Sequence, residues 1–265
     1  MQKFQVLLSI LSMEDISYID SLRITGDAVV VNQCNETSEE DIIRRSVNGS
    51  DQAVKYVKTT DRGLSKSRNL AISKATAEIC ILCDNDVVYV DGYEKIIVDE
   101  FEKHPDADII VFYIKRKEKP VPNYNEERVM DCLSVLKIFS PEIAFRRERI
   151  SDISFDTDFG AGSGKYIMGE ENIFLYDALK KKKKIYYVPI QIAQLKDVES
   201  TWFSEYNEKF FVSRGANYAA MSKVWSHALI WQFAIRKKGL YIDKLTILQA
   251  LKFMYRGRKE YLNRK

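Results

Sequence analysis

The chain has 265 residues, of which 46% are apolar and 30% are charged, and its formal net charge is +3 at pH 7. These values describe a folded globular protein with one large domain, or with one domain and an appendage. They exclude a disordered chain, and no apolar run approaches the ~20 residues that a membrane-spanning helix needs. The four cysteines, Cys34, Cys80, Cys83 and Cys132, form no disulfide framework, and Cys80 and Cys83 in a predicted strand indicate buried thiols in a reducing cytoplasm.

The first half of the chain alternates between apolar, β-rich runs and helix-like segments. The opening stretch, MQKFQVLLSILSMED, turns acidic too soon for a secretory signal and is predicted as a strand. Because the apolar runs are continuous, we expect a sheet buried on both faces, as in a doubly wound α/β domain. The predicted strands are Phe4–Leu11, Ala28–Asn32, Ala53–Val57, Ile79–Cys83 and Ala107–Tyr113, with helices near Ser65–Lys74 and Gly92–Lys103.

The second half is less regular. Residues 115–135 are polar and predict an irregular insertion, and EIAFRRERI after it predicts a short strand. A glycine-rich loop then precedes a helix with an acidic start and a basic end, Lys180–Lys184, which fits the helix dipole. Another strand follows, and from Glu205 onward the pattern is helical.

Positive charge is concentrated at the carboxyl end of the chain. Residues 205–265 hold 13 lysines and arginines against four acidic residues, so the rest of the chain is net acidic. Such a segment favours an anionic partner surface. The helices could lie in a membrane interface, or pack on the domain with a basic outer face. No nucleic-acid-binding module is recognisable, so a nucleic-acid partner is not expected.

Two aspartates, one residue apart, follow the predicted strand Ile79–Cys83. Asp84, Asn85 and Asp86 therefore lie at a strand end, where doubly wound sheets bind their ligands. Carboxylates in this position can bind Mg²⁺ or Mn²⁺, which prefer oxygen ligands. A simple turn is the alternative, because Asp and Asn are common turn residues.

A second motif, DRGLSKSRNLAI, begins at Asp61 and ends shortly before the same strand. Its glycine, Gly63, leads into a predicted helix whose first N–H groups can bind phosphate. Arg62, Lys66 and Arg68 add cationic donors. The alternative is an ordinary capped helix whose arginine pairs with a local acid.

A third motif, GAGSGKYIMGEEN, covers Gly160–Asn172. Its glycines allow the backbone to approach a ligand closely. The spacing fits neither a phosphate-binding loop nor a dinucleotide-binding fingerprint. Glu170 and Glu171 stand at a helix start, where acids also serve simply to compensate the helix dipole.

Taken in order, the three motifs resemble those of the family 2 glycosyltransferases, nearest the branch that builds bacterial capsules and surface polysaccharides. Gly63-Leu64-Ser65-Lys66-Ser67-Arg68-Asn69 is similar to the family's G-x-S-x-A-R-N, Asp84-Asn85-Asp86 to its D-x-D, and Gly169-Glu170-Glu171-Asn172 to its glycine–acid–acid motif. The resemblance implies the type A glycosyltransferase fold, a Rossmann-like three-layer α/β sandwich, over residues 1–204. Residues 205–265 would then be a helical appendage.

The resemblance implies an inverting transfer of a sugar from a nucleotide donor, with a UDP-sugar expected, to a surface-polysaccharide or lipid-linked glycan. It assigns Asp86 and Asp84 to a Mn²⁺ or Mg²⁺ ion, and Glu171, rather than Glu170, to the general base. The remaining expected contacts are Ser9, Gln33, Arg62, Lys66, Arg68, Asp84 and Asn85 for the nucleotide sugar, and Gly162, Ser163 and Gly169 for the acceptor.

The sequence departs from the family pattern in three places. Ser9-Ile10-Leu11-Ser12 replaces the usual Pro-x-Tyr-Asn turn over the base, and Asn32-Gln33 replaces a base-reading aspartate. Gln194, ahead of Ser200-Thr201, stands where many members have a histidine that binds the metal. His104 and His227 are expected to be surface or packing residues rather than ligands.

Two alternatives to this function remain open from the sequence. One is a non-catalytic glycan- or membrane-binding protein on a transferase scaffold. The other is a sugar-phosphate nucleotidyltransferase, although the glycine-rich, basic loop expected after Phe4–Leu11 is missing. The expected location is the cytoplasm, with peripheral contact of residues 205–265 at the inner face of the plasma membrane.

Overall fold

A computed structural model describes residues 3–196 and 205–264. Ser200, Thr201 and the predicted domain boundary at residue 204 lie outside the described residues, and that boundary stays a prediction. The chain forms two compact units. The first comprises the described residues among 1–62, 66–154 and 178–198, and the second those among 63–65, 155–177 and 199–265.

The first unit contains a mixed ten-stranded sheet in the order β3-β4-β2-β1-β5-β9-β7-β10-β6, with β8 paired to β10. The strands are β1 Phe4–Leu11, β2 Ala28–Gln33, β3 Ser38–Arg45, β4 Asp51–Thr59, β5 Ile79–Asp84, β6 Val87–Tyr89, β7 Ile109–Lys115, β8 Arg128–Val129, β9 Ile143–Arg146 and β10 Ile185–Leu195. The α-helices of the described chain are α1 Tyr18–Ser21, α2 Leu64–Lys74, α3 Tyr93–Lys103, α4 Glu170–Lys180, α5 Glu208–Met221, α6 Ser226–Arg236 and α7 Ile247–Leu262.

The five predicted strands of the first half are confirmed, with ends that differ by no more than two residues. Every residue of β2 is buried, as are all but the first and last residues of β1, because the sheet is covered on both faces. Strands β4, β2, β1 and β5 run parallel. Their carboxyl ends therefore share one edge, and register pairs Ser9 with Asp84 and Leu11 with Gln33. The predicted α/β fold is confirmed.

The sequence analysis missed β3, which pairs with β4 in an antiparallel hairpin. Its sequence, SEEDIIRR, is mostly charged and half-exposed, so it lacks the continuous apolar run of the other strands. The strand is nevertheless stable at the sheet edge, where Asp41 and Glu39 form ion pairs with Lys55 on β4. Charged side chains on an edge strand also discourage pairing with another molecule.

The second unit contains α5, α6 and α7, and α5 contacts α7 backbone to backbone. A Cβ atom on Gly257 would lie 1.9 Å from the Val212 carbonyl oxygen, and one on Gly215 would lie 1.9 Å from the Met254 carbonyl oxygen. Both obstacles are backbone atoms, so no side-chain rotation could relieve the overlap. Only glycine fits at these two positions.

Gly257→Ala is therefore expected to lower the free energy of unfolding by about 3 kcal/mol or more, at or above the upper end of the range for overpacked sites. Chemical denaturation measures this change. Gly239→Ala is the matched control, because a Cβ there meets nothing within 4 Å. Equal losses of stability in the two variants would contradict the close-contact explanation.

Two aspartates, Asp156 and Asp158, join the end of α7 to the rest of the second unit. The Arg264 guanidinium lies 2.8 Å from an Asp156 oxygen and 2.7 Å from an Asp158 oxygen. The Tyr261 hydroxyl donates to Asp156 as well, at 3.2 Å. These aspartates belong to another D-x-D of the chain, Asp156-Thr157-Asp158, and are engaged in structural ion pairs. Among the described residues, no helix combines the length and the apolar character needed to cross a bilayer.

Candidate functional site

The D-x-D motif lies at the carboxyl edge of the parallel strands, as predicted. Asp84 is the last residue of β5, and Asp86 lies in the turn that leads into β6. Asp84 accepts hydrogen bonds from Arg68 Nη2 through both carboxylate oxygens, at 2.9 and 3.1 Å. The Arg68 side chain is only 2% exposed. The arginine of the second motif thus pairs with an acid of the first and fixes its carboxylate.

Asp86 differs from Asp84 in its hydrogen bonding. Its Oδ1 atom is buried and has no hydrogen-bond partner among the described residues. Burial, and next the neighbouring charge of Asp84, raises the pKa of the Asp86 carboxyl. A buried carboxylate oxygen without a partner is costly unless a cation or donor occupies its lone pairs. The chemistry of these two carboxylates therefore fits a divalent cation, which Asp86 and Asp84 could hold.

Two residues that the sequence analysis missed surround this turn. The Tyr18 hydroxyl donates to the Asn85 carbonyl at 2.8 Å. Lys196, directly after β10, donates its backbone N–H to the Asp86 carbonyl at 2.8 Å, and its Nζ lies 3.0 Å from Ser21 Oγ. Lys196 also lowers the raised pKa of Asp86 somewhat. The structure thus places the Lys196 ammonium group close enough to Asp86 to act on its carboxylate.

The raised pKa of Asp86 predicts a dependence of stability on pH. The folded pKa of Asp86 exceeds its unfolded pKa, so ionising this carboxyl destabilises the folded state. This loss of stability is absent at pH values below the unfolded pKa and complete at pH values above the folded pKa. Asp86→Asn is therefore expected to raise the Tm of metal-free protein at pH 7. The gain should vanish as the pH falls toward the ordinary Asp pKa of about 3.9. Thermal unfolding across this range measures it, and a gain independent of pH would contradict the assignment.

The predicted base-contacting residues lie at the ends of β1 and β2. Ser9 is buried, and its Oγ has no hydrogen-bond partner in the described part of the chain. Asn32 is committed to the loop after β1: its side chain accepts from the Met13 N–H at 2.9 Å and donates to the Met13 carbonyl at 2.8 Å. Gln33 follows at the end of β2 and is 7% exposed. Asn32 thus has a structural role, and Ser9 and Gln33 remain the predicted contacts.

Arg62 and Lys66 also lie near the ends of these strands. Arg62 is exposed and is held by the Thr60 carbonyl at 2.8 Å and by Asn35 Oδ1 at 2.9 Å. Lys66 is exposed at the start of α2. Gln194 on β10 is exposed and stands in register with Val88, two residues beyond Asp86. The position of the expected histidine ligand therefore adjoins the D-x-D turn.

In the second unit, the glycine-rich motif packs against the start of α2. The Leu64 N–H donates to the Ala161 carbonyl at 2.8 Å, and a Cβ on Gly162 would lie 3.4 Å from the Gly63 backbone. Ser65 Oγ donates to the Phe159 carbonyl at 2.7 Å. Ser163 is half-buried and its hydroxyl donates to the Tyr166 carbonyl at 2.9 Å. Hydrogen bonds from Leu64, Ser65 and Ser163 to loop carbonyls thus fix the loop, in which Gly162 is exposed.

The two acids of the third motif occupy different environments. Glu170 is 6% exposed, and its carboxylate packs on Gly160, where an added Cβ would lie 3.2 Å from Glu170 Oε2. Glu171, the next residue of α4, is half-buried. Gly169 has a φ of +94°, and its carbonyl accepts from buried Asn217 at 2.8 Å. Glu171 is therefore the more accessible acid, and Glu170 the more enclosed one.

Comparison with solved structures identifies proteins of the same fold. Residues 1–349 of Staphylococcus aureus TarS in complex with UDP-GlcNAc match with a TM-score of 0.63 and 15% sequence identity, over 98% of this chain and 88% of that one. The complex of the same fragment with UDP matches with a TM-score of 0.61 and 15% identity, over 96% and 80%. The structure of TarS itself matches with a TM-score of 0.60 and 15% identity, over 98% of this chain and 53% of that one. No curated protein matches the chain.

A sequence comparison supplies the family. The model of Glycosyl transferase family 2 matches residues 27–168, which is more than half of the chain and includes the second motif, the D-x-D and most of the glycine-rich motif. The α/β sheet agrees with this match, and Gly169, Glu170 and Glu171 lie directly beyond its end. The chain belongs to Glycosyl transferase family 2 and is a glycosyltransferase with the type A fold.

Proposed function

We propose that the protein is an inverting glycosyltransferase that moves a sugar from a UDP-sugar to a hydroxyl of a surface-polysaccharide or lipid-linked glycan. The observation that carries this proposal is the buried, unpartnered Asp86 oxygen at the carboxyl edge of the parallel strands, beside Asp84 and Lys196. Ligands bind at this edge in open α/β sheets. The TarS structures, which contain UDP and UDP-GlcNAc, support a uridine nucleotide as donor.

The donor diphosphate needs positive charge. Asp86, with Asp84 beside it, would hold Mn²⁺ or Mg²⁺, and this ion would neutralise charge on the leaving diphosphate. Arg68 fixes the Asp84 carboxylate through its two hydrogen bonds, so it acts as a positioning residue. Lys196 and the exposed Arg62 and Lys66 are the proposed cationic donors toward phosphate.

The acceptor hydroxyl needs a general base as it attacks the anomeric carbon. Glu171 is the proposed base, because it is the second acid of the third motif and is more accessible than Glu170. Its carboxylate takes the hydroxyl proton while the new C–O bond forms and the bond to the diphosphate breaks. A single displacement inverts the anomeric centre. Gly162, Ser163 and Gly169 are proposed to line the acceptor site.

A donor screen tests this function. The protein is incubated with UDP-, GDP- and dTDP-sugars and Mn²⁺, and release of the nucleotide diphosphate is measured. We expect hydrolysis of one UDP-sugar above the background, and a higher melting temperature with UDP plus Mn²⁺ than with either alone. Release from a GDP-sugar only would contradict the choice of uridine, and no response to any nucleotide would contradict the proposal.

We also propose that the C-terminal helices bind an anionic bilayer at the inner face of the plasma membrane, where a lipid-linked acceptor would be found. Trp225 is 65% exposed and Trp231 is 48% exposed, and Ile235 lies one turn beyond Trp231 on α6 at 54%. Lysines and arginines surround them at Lys223, Arg236, Lys237 and Lys238. Exposed tryptophans amid basic residues suit a membrane interface.

Vesicle co-sedimentation tests the membrane contact. The protein should sediment with vesicles that contain phosphatidylglycerol, and less with phosphatidylcholine alone, with weaker binding at high salt. Trp231→Ser combined with Ile235→Ser should weaken this binding at least tenfold. Ile43→Ser is the control, because Ile43 is 74% exposed on β3 of the other unit. Equal binding by the double variant and the control would exclude these helices as the contact.

A further inference from the structure

The carboxyl end of α3 carries a second group of ligand-type side chains, distinct from the D-x-D. Glu100 and His104 lie one helical turn apart, and Glu127 directly precedes β8. The His104 Nε2 atom is 3.3 Å from a Glu127 oxygen and 3.9 Å from Glu100 Oε2. One ligand atom from each residue lies within 4.8 Å of the other two. The nitrogen and the two oxygens therefore form one compact group of ligand-type atoms.

Two buried atoms of this group have no hydrogen-bond partner among the described residues. The Glu100 side chain is 2% exposed, and its Oε1 atom accepts from Lys103. Its Oε2 atom is buried and has no hydrogen-bond partner among the described residues, and the same is true of His104 Nε2. A buried carboxylate oxygen is costly without a donor or a cation. The unpartnered Glu100 oxygen faces the imidazole nitrogen, so one ion between them would satisfy both.

The neighbouring residues hold this geometry. The His104 ring stacks on Tyr186, with 4.5 Å between ring centroids and 27° between their planes. The Tyr186 hydroxyl donates to Asp106 at 3.3 Å. Strand β8 pairs with β10 at Val129 and Tyr186, which brings Glu127 beside the same ring. The imidazole is thus oriented, and Glu127 reaches it from a different segment of the chain.

We propose that Glu100, His104 and Glu127 bind a divalent transition-metal ion, with Zn²⁺ as the best match. Zn²⁺ accepts imidazole and carboxylate ligands at about 2.0–2.2 Å, which separates tetrahedral ligand atoms by about 3.4 Å. The observed 3.3 Å meets this value, whereas the 3.9 Å separation, and the two oxygens, which lie within 4.8 Å of each other, require the side chains to move inward around the ion. Water completes the shell. The ion joins α3 to the 115–135 insertion, and His104 is then a ligand, contrary to the sequence expectation.

Calorimetric titration of the chelator-treated full chain with Zn²⁺ tests this site. We expect one binding event that becomes at least tenfold weaker in both His104→Gln and Glu127→Gln. Glu127 is half-exposed, so its variant should fold even if changes at buried Glu100 do not. The matched controls are Glu102→Gln, an exposed acid of the same helix, and His227→Gln, the other histidine. Both controls should bind Zn²⁺ as the unmodified chain does.

The titration also distinguishes Zn²⁺ binding at this site from metal binding at the D-x-D, and from a cluster that binds no metal. Asp86→Asn should retain this Zn²⁺ event, whereas Glu127→Gln should retain binding of UDP with Mn²⁺. If Zn²⁺ does not bind, or binds equally to His104→Gln, Glu127→Gln and the unmodified chain, the proposal is wrong. Either result leaves the proposed transferase function to its own test.

Discussion

Asp86→Asn is expected to reduce sugar transfer by about 10²–10³-fold, the usual cost of losing one preorganised electrostatic contact to a developing charge. The substitution keeps the size of the side chain and removes the carboxylate whose buried oxygen has no partner among the described residues. Binding of UDP should lose its dependence on Mn²⁺, which calorimetry with and without the metal measures. The same variant should be more stable than the unmodified chain at pH 7, so a loss of activity would not reflect unfolding.

The chain supplies a matched control in another D-x-D, Asp156-Thr157-Asp158. Asp158→Asn makes the same chemical change at an acid that forms ion pairs with Lys165 and Arg264. This variant should lose stability and retain the effect of Mn²⁺ on UDP binding. If Asp86→Asn retained both turnover and metal dependence, Asp86 would not be the metal ligand of the transferase.

Glu171→Gln is expected to lower kcat by about 10²–10⁴-fold, the range for loss of a general base, with donor binding unchanged. The amide cannot accept the proton of the acceptor hydroxyl, whereas the donor diphosphate is bound elsewhere. Transfer to the acceptor is measured at saturating donor, together with UDP-sugar affinity. A parallel loss of donor affinity would indicate that Glu171 contacts the donor instead.

Glu170→Gln is the comparison that separates the two acids. Glu170 is buried against Gly160, so its substitution should lower the melting temperature. We expect a smaller fall in kcat for Glu170→Gln than for Glu171→Gln. The enclosed Glu170 carboxylate would position the glycine-rich loop and would not take the proton of the acceptor hydroxyl. The opposite order, with the larger loss of kcat at Glu170, would assign the base to that residue.

The pairing of Arg68 with Asp84 shows how the structure changes the interpretation of a motif. The sequence suggests a phosphate-binding arginine, with a local ion pair as the alternative. In the fold, α2 places the guanidinium beneath the sheet edge, where it is 2% exposed and bonded to both Asp84 oxygens. A buried charge needs such a partner. The arginine therefore links the second motif to the D-x-D, which sequence spacing could not reveal.

The sequence by itself determined the central strands and the D-x-D, because continuous apolar runs require a sheet covered on both faces and Asp84 follows one of them. The search for continuous apolar runs could not predict β3, because its charged side chains are tolerated only at a sheet edge. The tertiary structure alone brought Tyr18 and Lys196 to the Asp86 turn, and Glu127 to His104. These residues are far apart in the chain, and only strand pairing and helix packing place them together.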